Sequence, residues 1–109
     1  MTYSAPADSI NAGVDPSLFM ATGSYVGDGV SEVVACGFQP RYIFVCATSL
    51  TNSRNGGSKS NQMPSNNAIA SDGGSVTGIT ITSTGFTVDG GSQFNYGIVL
   101  VTYYWTAWK

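Results

Sequence analysis

The sequence predicts a small all-β domain, an antiparallel β-sandwich or barrel of six to eight short strands. Two observations predict it: apolar and polar residues alternate in several short runs, and Asp-Gly and Gly-Gly pairs, which favour tight turns, separate these runs. The composition agrees, because the chain is 42% hydrophobic and 12% aromatic, contains 14 glycines and is only 9% charged, against roughly a quarter charged in average globular proteins. A chain of 109 residues has the usual size of one domain.

Residues 1–21 are predicted to form an N-terminal arm and residues 22–109 the single β domain. The arm is mostly polar, but Phe19 and its two neighbours are apolar and need burial. We therefore expect the arm to lie across the domain or to reach a neighbouring subunit. Its first residues have neither the basic start nor the apolar stretch of a secretory signal, so synthesis in a cytosol is expected.

The first half of the domain is predicted to contain a hairpin followed by a buried strand. Two strand-like runs flank the pair Asp28-Gly29, which is typical of hairpin turns. Pro40 cannot donate a hydrogen bond in a strand ladder, so a new strand is expected over residues 41–47. This run is apolar at nearly every position, which indicates a strand covered on both faces.

Residues 49–67 are predicted to form a long exposed loop. Leu50 and Met63 are its only apolar residues, and it contains Arg54 and Lys59, two of the four positive charges. Loops of this length are usually either functional or disordered. The segment is therefore either a contact surface or a mobile, solvated tip, and the sequence does not favour the contact surface over the tip.

The second half of the domain is predicted to contain another hairpin and a long closing strand. In residues 76–82, Ile79 and Ile81 share one face, and the run is expected to pair with residues 86–88. The closing run, residues 97–108, is apolar on both faces. One domain of this size covers one such face with its second sheet, so the other face is expected to meet another subunit.

The closing run also contains an aromatic cluster. Alternation along a strand puts Tyr103 and Trp105 on one face, and Tyr104 and Trp108 lie on the opposite face. Aromatic faces with a polar group suit sugar ligands, but these four residues do not share one face. Core and interface packing is therefore favoured over a sugar-binding platform.

The titratable residues point away from catalysis. The chain has no histidine, which excludes a Ser-His-Asp triad, and it contains no glycine-rich phosphate loop. Asp28, Asp72 and Asp89 each precede glycine, where Asp caps a turn through its own backbone. Calcium binding needs several converging oxygen ligands, so turns are favoured. We expect no enzyme activity, no cofactor and no metal.

The cysteines and the net charge limit which ligands and partners are expected. Cys36 and Cys46 lie in apolar stretches and are interpreted as small buried residues, with a disulfide between them left open. Two thiols without histidine do not complete a four-ligand zinc site. The net charge of −2 comes from singly scattered residues, so neither nucleic acid nor a membrane is expected as a partner.

Several stretches, in chain order, carry a resemblance to a known family: Gly23-Ser24-Tyr25-Val26-Gly27-Asp28-Gly29, Gly37-Phe38-Gln39-Pro40-Arg41-Tyr42-Ile43-Phe44-Val45, Gly85-Phe86-Thr87-Val88, Asn95, and Tyr104-Trp105-Thr106-Ala107-Trp108. Together they resemble a glycine-rich β domain that recurs in bacteriophage virion structural, tail-fibre and capsid-decoration proteins. The resemblance covers most of residues 22–109.

The resemblance implies a non-enzymatic virion protein, and the short arm favours a capsid decoration or cement protein, or a small head or tail accessory protein. A receptor- or glycan-binding tail-fibre tip is the alternative, and a lectin-like module unrelated to phage is a third class.

The expected partners are further copies of this chain and phage capsid or tail proteins. The expected location is the virion, with synthesis in the bacterial host cytoplasm. A homo-oligomer is expected from the closing strand, and the number three comes from the resemblance alone. The residues expected to make interface or binding contacts are Tyr103, Tyr104, Trp105, Trp108, Phe19, Arg54 and Lys59.

Overall fold

The structure is a computed structural model that describes residues 19–47, 56–97 and 101–109. Within these ranges the chain forms nine β-strands and no helix. The strands are β1 (Met20–Gly27), β2 (Glu32–Ala35), β3 (Tyr42–Ala47), β4 (Gly56–Ser60), β5 (Asn67–Ala70), β6 (Ser75–Thr77), β7 (Ile79–Ile81), β8 (Gly85–Val88) and β9 (Val101–Trp108).

The strands form two antiparallel sheets. The larger sheet has six strands in the order β1-β9-β3-β4-β5-β6, and the smaller has three in the order β2-β8-β7. The predicted all-β class and antiparallel arrangement are confirmed. The described residues contain nine strands, against the six to eight expected, because one predicted strand is divided and one predicted loop contains a strand.

The core lies between the two sheets. In β9 the inward side chains Val101, Tyr103, Trp105 and Ala107 are buried, and the residues between them are partly or fully exposed. Phe86 of the smaller sheet meets Trp105 edge to face, with ring centroids 5.6 Å apart. Aromatic pairs favour this geometry, and this pair joins the two layers near the centre.

The predicted strand over residues 76–82 is divided at Gly78. Its φ of 149° is rarely adopted by other residues. A Cβ there would lie 2.7 Å from Phe94 Cδ2, so no side chain fits. β6 therefore stays in the larger sheet and β7 joins the smaller one. The predicted hairpin of this region is confirmed between β7 and β8.

The hairpin predicted through Asp28-Gly29 is wrong. β1 pairs with β9 along its whole length, whereas β2 pairs with β8 in the other sheet, so the turn carries the chain from one layer to the other. Close approach explains the choice of partner. A Cβ on Gly23 would lie 2.7 Å from Trp105 Cζ2, so only glycine lets the indole pack against β1.

The predicted loop over residues 49–67 is also corrected. Residues 56–60 form β4, which pairs with β3, and residue 67 begins β5. Strand pairing uses backbone groups, so a glycine- and serine-rich segment can join a sheet beside an apolar strand. The connection between β4 and β5 remains a loop. Residues 49–55 lie outside the described residues.

The predicted arm ends earlier than expected. β1 begins at Met20, so Met20 and Ala21 belong to the six-stranded sheet. Residues 1–18 lie outside the described residues.

Candidate functional site

The candidate site is the side of the six-stranded sheet that faces away from the smaller sheet, here called the outer face. Register fixes its members, since directly paired residues of antiparallel strands point to the same side. Its described positions are Met20, Thr22, Ser24, Val26, Tyr42, Phe44, Cys46, Ser58, Ser60, Asn67, Ile69, Ser75, Thr77, Thr102, Tyr104, Thr106 and Trp108. None of these side chains is charged.

Four aromatic side chains lie on the outer face of the two central strands: Tyr42 and Phe44 of β3, and Tyr104 and Trp108 of β9. Each is between 38% and 49% exposed. Tyr42 and Trp108 are directly paired, and their ring centroids lie 5.4 Å apart. Scattered exposed apolar residues are ordinary, but a contiguous exposed group indicates a contact site. These four residues are called the aromatic stripe below.

A shallow groove of about 460 Å³ lies along the outer face. Phe44, Tyr104 and Thr106 line it, with the hydroxyls of Thr22 and Ser24 on the β1 side. Its walls therefore offer aromatic carbon and neutral hydroxyl groups. Such a surface can stack on apolar or sugar rings and donate hydrogen bonds.

Two predicted contact residues belong to the core instead. Tyr103 is fully buried, stacks on Tyr25 with centroids 5.2 Å apart, and accepts a hydrogen bond from the Tyr96 backbone N–H at 3.0 Å. Trp105 is buried against Phe86. The smaller sheet covers this face of β9, so neither ring reaches a partner.

The other predicted aromatics are exposed, as expected from alternation. Tyr104 and Trp108 lie on the outer face, opposite the buried pair. Phe19 is also exposed, but it lies beside Arg41 and Lys109, in a separate groove at one end of the sheet. Arg54 lies outside the described residues.

Lys59 is buried, which corrects its predicted role as a surface contact. Its side chain points inward from β4 and is 1% exposed. The ammonium donates to the carbonyl oxygens of Met63, Ser65 and Asn67 at 3.2, 3.1 and 2.6 Å. From the buried side, the Lys59 ammonium therefore holds together the backbone of the connection between β4 and β5. Desolvation lowers the pKa of this ammonium, and the three carbonyl oxygens favour its charged form.

The pH dependence of stability should report this burial. Because the pKa of Lys59 is lower in the folded chain than its ordinary value of 10.5, the unfolded chain binds this proton more tightly. Lys59 therefore contributes least to stability at pH values below its pKa in the folded chain. The free energy of unfolding rises as the pH increases from that pKa towards 10.5. In urea titrations between neutral pH and about pH 10, the free energy of unfolding should rise more in the wild type than in Lys59→Met.

Lys109→Met, which removes an exposed lysine, is the matched control and should follow the wild type. Comparing variants cancels the contribution of every titratable group that they share. Equal pH slopes for the wild type and Lys59→Met would contradict the prediction.

Sequence reasoning missed one further residue, Asn95, which is fully buried. Its Oδ1 accepts the backbone N–H groups of Asp28 and Gly29 at 2.9 and 3.1 Å. Its Nδ2 donates to the Val30 carbonyl at 2.6 Å. The amide thus holds the crossing between the two sheets. The sequence singled out Asn95 only as one of the residues that carry the family resemblance.

The aspartate turns are partly confirmed. Asp28 and Asp72 each accept a backbone N–H two residues further on, at 2.9 and 3.0 Å, as Asx turns do. Asp89 instead accepts the Asn66 side-chain amide at 2.9 Å. No group of three or more potential metal ligands occurs among the described residues. Cys36 and Cys46 are free and only partly buried.

The fold and the outer face together define an all-β sandwich with an exposed aromatic face that carries no charged side chain among the described residues. No family model, curated protein or solved structure matches this chain. In the part of the chain that the structure describes, no helix is long and apolar enough to span a membrane.

Proposed function

We propose that this protein is a non-enzymatic structural protein that works by packing its outer face against another protein subunit. The observation that carries the proposal is the aromatic stripe on an uncharged sheet face. Interface cores are depleted in charged residues and enriched in Tyr, Trp and Phe. The exposed apolar side chains of the stripe have no covering layer among the described residues, and a partner subunit would supply one.

The proposed setting of this role, taken from the resemblance, is a bacteriophage particle, where the protein would be a capsid decoration or cement protein, or a small head or tail accessory protein. One contact supports the resemblance, since two of its stretches meet. The turn at Asp28 and Gly29 is held by the amide of Asn95, so these separated positions form one structural unit. Capsid or tail proteins are the further partners, and the virion is the proposed location.

The proposed occupant of the outer face is a second copy of this chain. Two like surfaces repel when each carries the same charge, and the described outer face carries none. Hydroxyl side chains beside the aromatic stripe can donate and accept in either direction, so like surfaces can also satisfy one another. Like surfaces that pack on one another are related by a twofold axis, so this contact gives a dimer, and the trimer number is an expectation from the resemblance alone.

Phe44→Glu should separate assembly from folding. The side chain is 44% exposed in the single chain, so the domain should still fold, while a buried carboxylate would be unpaired in the interface. Loss of a central aromatic contact commonly costs about 2 kcal/mol or more, which is roughly a 30-fold weaker dissociation constant. Sedimentation over a concentration series measures this change.

Val33→Glu is the control, because Val33 is an exposed apolar residue of the smaller sheet, 78% exposed, and the substitution changes net charge equally. It should assemble like the wild type. A wild-type monomer at tens of micromolar concentration, or equal weakening by both substitutions, would remove the support for this interface.

A second candidate function is glycan binding at the same face, as in a tail-fibre tip. The groove that supports it combines the rings of Phe44 and Tyr104 with the hydroxyls of Thr22, Ser24 and Thr106. Sugar rings stack on aromatic faces and hydrogen-bond to such hydroxyls. Saturable binding on a glycan array, lost in Tyr104→Ala but kept in Val33→Glu, would favour it over assembly.

A further inference from the structure

Among the described residues, the edge of the six-stranded sheet at β1 has none of the features that usually protect a sheet edge. β1 is eight residues long and pairs with β9 without a bulge. Its sequence, Met20 to Gly27, contains no charge and no proline. Natural proteins normally protect an edge with lysine, proline, a bulge or short length. At the opposite edge, β6 is only three residues long, but β1 is long and regular.

The backbone groups that face outward from this edge can be identified. The Lys109 N–H donates to the Phe19 carbonyl at 2.7 Å, so residues 19 and 109 form a hydrogen-bonded pair. Hydrogen-bonded and non-hydrogen-bonded pairs alternate along an antiparallel ladder. The odd-numbered residues of β1 therefore bond to β9, and the even-numbered residues point their N–H and C=O groups outward. No described strand pairs with that side of β1.

The sequence of β1 is self-complementary in one antiparallel register. When two copies meet about a twofold axis at Gly23, Met20 lies opposite Val26 and Thr22 opposite Ser24. Every outward N–H and C=O of the even-numbered residues then has a partner. On the outer face this register matches an apolar side chain with an apolar one and a hydroxyl with a hydroxyl, as stable cross-strand pairs require. At the axis, glycine faces glycine.

We infer that β1 pairs antiparallel with β1 of a second copy, joining the six-stranded sheets of two subunits into one continuous sheet. The interaction is strand addition at an exposed edge, and its symmetry is twofold. It also joins the outer faces of the two subunits, because the side chains of Thr22 and Ser24 lie on that face.

This inference rests on the proposed assembly role but uses a different surface. Edge pairing alone produces a dimer, whereas the resemblance predicts a trimer through the closing strand. If both surfaces take part in assembly, Phe44→Glu should leave a dimer that is joined through β1. A variant that cannot pair through β1 should leave the oligomer that is joined through the outer face. The two proposals can therefore fail separately.

Amide hydrogen exchange on the wild-type protein is the first test, because it needs no substitution. The amides of Thr22 and Ser24 should exchange at least about tenfold more slowly above the association midpoint than below it. The amide of Gly23, which bonds to β9 within one chain, should be protected at both concentrations. Concentration-independent exchange of Thr22 and Ser24, fast or slow, would overturn the edge pairing.

Ser24→Pro is the second test, with Ser24→Ala as its matched control. Proline removes one outward N–H and is tolerated at edge strands, whereas alanine keeps that N–H. Sedimentation should show that Ser24→Pro no longer forms the dimer joined through β1, while its circular dichroism is unchanged. Ser24→Ala should still form that dimer. An unchanged mass in folded Ser24→Pro would overturn the inference. If Phe44→Glu reduces the sedimenting mass and Ser24→Pro does not, the result supports the outer-face contact and contradicts the β1 pairing.

Discussion

Phe86→Ala should lower the free energy of unfolding by about 3–5 kcal/mol, the usual cost of removing a buried phenylalanine. Phe86 is fully buried, and its ring meets Trp105 edge to face at 5.6 Å. The substitution removes apolar contacts from both sheets and leaves a cavity between them. Urea unfolding followed by tryptophan fluorescence measures the loss, and the environment of Trp105 should change in the folded state.

Phe44→Ala is the matched control, because it makes the same chemical change on the outer face. Its stability cost in the monomer should be smaller, about 1–2 kcal/mol, because 44% of the side chain is already exposed. Its effect on assembly should exceed that of Phe86→Ala when the variants are compared under conditions where both are folded. Equal stability losses at the two positions would contradict the assignment of core and outer face.

Asn95→Ala should lower the free energy of unfolding by about 2–4 kcal/mol, because three hydrogen bonds are lost from a buried side chain. The backbone groups of Asp28, Gly29 and Val30 would lose their partner at the crossing between the sheets. Amide exchange should quicken first at residues 28 and 29. Thermal unfolding and amide exchange are the measurements.

Asn61→Ala is the control, since Asn61 lies exposed in the loop between β4 and β5. Its side chain is bonded only to the neighbouring Gln62 amide among the contacts of the described residues, at 3.3 Å. It should unfold within about 0.5 kcal/mol of the wild type. If Asn95→Ala behaves like Asn61→Ala, the amide does not hold the crossing.

The two proposals depend on different parts of the same sheet. The aromatic stripe lies on β3 and β9, at the centre of the six-stranded sheet, and the unprotected edge is β1, directly beside β9. The core residues and Asn95 keep this sheet against the smaller one. Variants that loosen the core should therefore weaken both kinds of assembly together, whereas Phe44→Glu and Ser24→Pro should affect them separately.

Local pattern was sufficient for much of the fold. The alternation in β9 correctly separates Tyr103 and Trp105 from Tyr104 and Trp108, because side chains of a strand point to alternate sides. The Asx turns at Asp28 and Asp72 form between residues two apart in the chain. The hairpin of β7 and β8 likewise joins neighbouring segments.

The candidate site was only partly predictable. The run over residues 41–47 indicates a strand with two apolar faces, but it does not say which face the second sheet covers. Tyr42 and Phe44 were therefore not identified as contact residues. The sequence places Lys59 on the surface because it lies in the predicted loop over residues 49–67. The three carbonyl oxygens that accept its hydrogen bonds come from a segment whose shape the sequence does not reveal.

By itself, the sequence determined the all-β class, the approximate positions of most strands and the alternation of side chains along them. These properties depend on residues close together in the chain. Only the tertiary structure decided that β1 pairs with β9 rather than β2, and that one face of β3 and β9 stays open. Strand partners depend on contacts such as that between Asn95 and Asp28, 67 residues apart. Local periodicity is the same whichever partner a strand takes, so such choices become visible only when the two layers are packed together.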